Sequence, residues 1–241
     1  MNRKKSILFI GSKPYNKAGI TDMLDSITKN TVRHNMALPD RNNGSHCDKL
    51  YLCNHLYLNV MQKKLCETNM LAVYGNEYRK DSIFDFVTNF DKNKYTKIEL
   101  LDGTNKIYAT KINEFLMLVS NNTAPKLTKQ IRTGMLSLLL AIIQYKKEIE
   151  NGDVEILVHG YSITDEVRLS SYVKEEVCKT IQKTNRIHKS SEEVEVLCWL
   201  HNNKYIDVTL CMLTDTEGLS ISTPYGMRPT TRILNIIEEY R

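Results

Sequence analysis

The 241-residue sequence has six cysteines but no CxxC pair and no tight cysteine–histidine cluster. Tetrahedral zinc sites usually draw their ligands from such pairs. The stretch HCDKLYLCNHLYLNVMQKKLC does hold His46, Cys47, Cys53, His55 and Cys66, at spacings that fit no zinc pattern. Neither a metal nor a cofactor is expected. Long apolar runs are missing too: nothing approaches the roughly 18 residues that a membrane-spanning helix needs. The start, MNRKKSILFIGSK, has an apolar run too short for a signal peptide and no cleavage-like site. The expectation is an intracellular protein with reduced thiols and no membrane contact. Basic runs of about five or more residues are also lacking. Lys+Arg 33 against Asp+Glu 28 leaves a net charge of +5, which permits nucleic-acid contact without arguing for it. No internal repeat and no low-complexity tract interrupts the chain.

What is present reads as an α/β protein. The 41% hydrophobic content is enough for a buried core. SILFI (6–10), closed by Gly11-Ser12, reads as a buried strand entering a loop. KAGITDMLDSITK (17–29) spaces Ile20, Met23, Leu24 and Ile27 as a helix does. Residues 39–48 read as loop, 50–66 as helix, and LAVYG (71–75) as strand. In KIELLDGTNKIYATKINEFLMLVS, Asp102-Gly103 lies between two β-prone runs and predicts a hairpin within 83–119. After a break at 121–126, LTKQIRTGMLSLLLAIIQYKKEIENG predicts one long helix with Gly152 at its C′ position. DVEILVHG (153–160) is a second buried strand. Residues 168–184 read as helix, as does the stretch before the Asn202-Asn203 turn, and 206–213 as a third strand. Strands alternating with helices predict a mainly parallel sheet with crossover helices. The pattern fits a single domain over 1–241, with an inserted, hairpin-containing segment at about 36–122.

Two blocks carry a resemblance. IRTGMLSLLLAIIQYKKEIENGDVEILV looks like the arginine–helix–GD–strand block of the serine recombinase (resolvase/invertase) catalytic domain. LHNNKYIDVTLCMLTDTEGLSISTPYGMRPTTRILNIIEEYR looks like that family's last strand, its S-T-P-x-G turn and the long helix that follows. With the first strand, the resemblance covers about 110 C-terminal residues. In the family a serine attacks a DNA phosphodiester while several arginines neutralise the phosphate. By the resemblance, Ser12 falls at the nucleophile position and Arg132 at the arginine opening the helix block. The other arginines are lost: Ile10 stands at one such position and Met227 at another, with Arg228 one residue on and Ser220 in place of an aspartate. Only a gap brings Asp165 and Arg168 to the D-R-L-G-R-S segment.

The resemblance therefore implies an inactive homologue, not an enzyme, in which Ser12 and Arg132 are remnants. The family's helix-turn-helix DNA-binding domain has no counterpart, since the chain stops just after IIEEY. Length, an AT-rich codon bias toward Lys, Asn, Ile and Tyr, and the pattern of losses are similar to a set of poxvirus-encoded, catalytically degenerate relatives. These imply an interaction protein that modulates host-cell processes, in the nucleus, nucleolus or cytoplasm of an infected cell, with a host or viral protein as partner. The alternatives are a non-sequence-specific nucleic-acid binder, or a residual phosphoryl-transfer enzyme using Ser12. In TRILNIIEEYR, Ile233, Ile236 and Ile237 share one helix face while Leu234 lies about 100° round. So wide an apolar stripe calls for two neighbours, and Ile233, Leu234 and Ile237 are the expected homodimer or partner contact.

Overall fold

The computed structural model describes residues 5–11, 25, 28, 30–34, 44–52, 72–76, 97–101, 105–128, 131–159 and 190–209. Strands β1 (Lys5–Ile10), β2 (Thr31–His34), β3 (Lys49–Leu52), β4 (Ala72–Asn76), β5 (Lys97–Leu101), β6 (Val154–His159) and β7 (Asp207–Thr209) form one sheet. Their order is β5-β4-β3-β2-β1-β6-β7, and every pairing is parallel. The expected α/β class with a parallel sheet flanked by helices is therefore the observed one.

SILFI and VEILVH are almost uniformly apolar because β1 and β6 are covered on both faces, as central parallel strands are. Ile7, Leu8, Phe9 and Ile10 are all buried, as are Ile156, Leu157 and Val158. Strand alternation divides them. Ile7, Phe9, Val32, Val154, Ile156 and Val158 join a core with α1 (Asn105–Ser120), α2 (Thr133–Gln144) and α4 (Ser190–Asn202). Helix α1 contributes Ile112 and Leu116, α2 Met135, Leu138, Leu139 and Ile142, and α4 Val196, Leu197 and Leu200.

Three expectations are corrected. The hairpin is not formed: β5 pairs parallel with β4, and the second β-prone run is helix α1. NKIYATKINEFLMLVS carries Ile112 and Leu116 four apart, and their burial beneath α1 decides for the helical period over the β-propensity of Ile, Tyr and Thr. The start of the helix expected at 50–66 is instead strand β3, paired to β2 and β4. The single long helix at 127–152 is two: α2 begins only at Thr133, and Tyr145 (φ −105, ψ 18) separates it from the short α3 (Lys146–Glu150). Other readings hold. Gly152 has φ +80, and its N–H donates to Ile149 O at 3.0 Å, as a C′ glycine does. Asp25 and Thr28 are helical within the helix expected at 17–29. The helix expected at 168–184 lies outside the described residues.

Candidate functional site

The sheet order places β1 between β2 and β6 and reverses there. From β1 the chain steps outward through β2, β3, β4 and β5, then returns to add β6 on the other side of β1. In such sheets the carboxyl ends of the strands flanking the reversal diverge and leave a crevice. Polar residues interrupt the apolar strands at that edge. Register sets Ile10 beside both Arg33 and His159, so these two flank Ile10 on one face of the sheet. His34, the next residue, turns to the opposite face. Beyond them Gly11 N–H donates to His159 O at 2.8 Å, extending the ladder to the rim.

Arg33 is fully buried, and burial of a guanidinium requires a partner. Its Nη2 lies 3.1 Å from Asp25 Oδ2, and its Nε donates to His46 O at 2.5 Å. The same carboxylate accepts Thr31 Oγ1 (2.8 Å), Ser45 N (2.8 Å) and His46 N (3.0 Å). One buried aspartate thus ties its helix to β2 and to the loop entering β3. Thr31 N–H donates to Asp48 Oδ2 at 2.6 Å and fastens the far end of that loop.

Gly44 lets the loop pass. It has φ +77, and a Cβ there would stand 2.3 Å from Asp25 Oδ2 and 3.0 Å from Arg33 Nη2. Gly44→Ala combines a left-handed backbone with a collision against a fixed carboxylate. Gly152→Ala, at φ +80 with nothing within 4 Å, meets only the backbone penalty. The expected costs are about 3 kcal/mol or more for the first and about 1 kcal/mol for the second. Equal urea midpoints for the two variants would contradict this placement of the loop.

Both edge histidines are uncharged at neutral pH. Burial, and then the nearby Arg33 charge, lowers His34 to about 4 and His159 to about 3. A neutral imidazole carries one donor and one acceptor nitrogen, and burial beside Arg33 keeps both rings in that form. Against His34 lies the first turn of α2: a Cβ on Gly134 would fall 2.7 Å from His34 Nε2. The absence of a Cβ at Gly134 leaves the space that the imidazole occupies.

Of the residues expected from the sequence, only Arg132 falls among those described. It sits at the N-cap of α2 and pairs with Glu193, Nη1 to Oε2 at 3.3 Å. Ser12, Ile233, Leu234 and Ile237 lie outside the described residues, as do Asp165, Arg168, Ser220, Met227 and Arg228. His46 and Cys47 are engaged locally, with Ser45 Oγ 3.0 Å from His46 Nδ1 and burial pushing the Cys47 thiol up to about 12. Among the described residues no three His, Cys, Asp or Glu side chains form a metal cluster, and no helix there is long and apolar enough to cross a membrane. Arg33, His34 and His159 were not anticipated. For His159 a signal was available, since EILVH ends an apolar strand on a basic side chain, whereas TVRH holds a single apolar residue and gave none.

No family model matches the chain, and no curated protein does. A solved structure resembles it from end to end. It is the sialyltransferase Cst-II, in complex with CMP, at 11% sequence identity and a TM-score of 0.46, with 99% of each chain covered. That neighbour is an enzyme and stands against the expectation that this chain is not one, though at this score and identity it assigns the chain no activity. At that identity and score, no substrate and no site carries over. Nothing in these comparisons bears on the resemblance to serine recombinases.

Proposed function

We propose that the chain is a group-transfer enzyme that takes a nucleotide-type ligand in the crevice at the carboxyl ends of β1, β2 and β6. One observation carries the reading. The reversal of strand order coincides with the place where neutral His34 and His159 and the close approach of Gly134 interrupt an apolar sheet. Ligands of open parallel α/β sheets bind at such reversals. Two uncharged imidazoles there each bring one donor and one acceptor nitrogen to that edge. The Arg33 charge is answered by Asp25, so Arg33 serves the packing of that edge and is not counted as an anion's partner.

Titration calorimetry with nucleoside mono- and diphosphates and nucleotide sugars, CMP among them, tests the reading. At least one class is expected to bind, and Gly134→Val, which drives a branched side chain into His34, is expected to weaken it by about tenfold or more. Failure of every nucleotide to bind would overturn the proposal, as would unchanged affinity in a folded Gly134→Val protein.

A second reading, that the chain also engages a host or viral protein, has one observation in its favour. Near the end of α1, Met117 and Leu118 are exposed, Leu118 by 79%. Loss of a partner on Leu118→Glu in pull-downs from cells would support it, and unchanged recovery would remove it.

A further inference from the structure

The start of α2 is fixed from elsewhere in the chain. Its N-cap residue, Arg132, makes no side-chain capping bond. Instead the segment leading into the helix is gripped from outside. Asn113 of α1 pairs with the Leu127 backbone in both directions, Nδ2 to O at 2.8 Å and N to Oδ1 at 3.0 Å. Glu192 of α4 accepts Thr128 N at 2.7 Å and Thr128 Oγ1 at 2.5 Å. Glu193, its neighbour, accepts Arg132 N at 2.7 Å and meets Arg132 Nη1 at 3.3 Å. Leu127 and Ile131 are buried in the core between these grips.

Acidic residues in a helix's first turn ordinarily complement that helix's own N-terminus. Here both carboxylates reach across to another segment, and both residues are buried. Burying adjacent carboxylates is costly, and for Glu193 burial outweighs the attraction of Arg132, so its carboxyl is held above the usual range. What the two carboxylates hold in place is the approach to α2. Two residues beyond Arg132 stands Gly134, in contact range of the His34 ring.

We infer that Glu192 and Glu193 are positioning residues, which fix Thr128 and Arg132 and thereby set the first turn of α2 against His34. The inference rests on the reading of that edge as the ligand site. Its structural half can be tested without any ligand.

The isosteric variants Glu192→Gln and Glu193→Gln, singly and together, are compared with Asn113→Ala, which releases only the Leu127 end. Amide exchange and the His34 imidazole resonances are followed by NMR, with calorimetry on whichever nucleotide the wild-type protein binds. The glutamate variants should speed exchange at Thr128 and Arg132 by about tenfold or more, with β1 and β6 still protected. They should also shift the His34 resonances, while Asn113→Ala leaves those in place. If a nucleotide binds, affinity should fall in the glutamate variants alone. Exchange that rises evenly over the whole protein, or an unmoved His34, would overturn the positioning role. If the double variant does not fold, Glu192→Gln decides by the same two readings. A shifted His34 in a protein that binds no nucleotide would sink the ligand reading and leave the positioning role standing.

Discussion

Asp25→Ala is expected to cost about 3–5 kcal/mol, the range for removing one partner of a buried ion pair. Arg33 keeps its charge at any accessible pH and has no exposed surface through which water could replace the carboxylate. The same change strips an acceptor from Thr31 Oγ1 and from the N–H groups of Ser45 and His46. Urea denaturation should show the midpoint falling steeply. The double variant Asp25→Ala, Arg33→Met should recover part of the loss, because the stranded charge is gone and an apolar chain of similar length fills the space. A single Asp25→Ala variant as stable as the wild type would mean that the pair is not buried as described.

Acid should unfold the protein through its two edge histidines. An unfolded histidine titrates near 6.5, whereas His34 and His159 in the fold are lowered to about 4 and about 3. Between those values the unfolded chain binds more protons than the folded one, so stability rises with pH across the window and is flat above it. Each histidine contributes a slope of about 1.4 kcal/mol per pH unit once fully inside the window. From pH 7 down to pH 5 the two together should remove about 4 kcal/mol. Denaturation midpoints measured across that range should fall accordingly, and neither ring should titrate by NMR between pH 5 and 8. A ring that titrates near 6.5 would show that its histidine is solvated.

The sheet was largely legible because its central strands are buried on both faces. Such strands read as unbroken apolar runs, and SILFI and DVEILVHG proved to be strand within a residue or two, as LAVYG did nearer the sheet edge. The region from 97 to 120 misled for a related reason. KIYATKINEFLMLVS satisfies a β-propensity reading and a helical period at once, and the choice between them was made by Ile112 and Leu116 packing under α1, a tertiary effect. Nor could Asp102-Gly103 reveal that the strand before it would pair with β4 in parallel. The split of the long helix was hidden similarly, since what fixes its start is Glu193, 61 residues away from Arg132. The site was the least visible part. Asp25 and Arg33 read as ordinary charged residues until the fold buries them against each other. Gly44 reads as one more loop glycine until a Cβ there is found to collide with Asp25 Oδ2. Only His159, a basic residue ending an apolar strand, left a trace in one dimension.

A crystal structure of the protein with its best-binding nucleotide tests the central claim most directly. The ligand is predicted to lie across the carboxyl ends of β1, β2 and β6, within hydrogen-bonding reach of His34 or His159. A nucleotide seated at the amino ends of the strands, or on an outer helix face away from β1, would contradict the account.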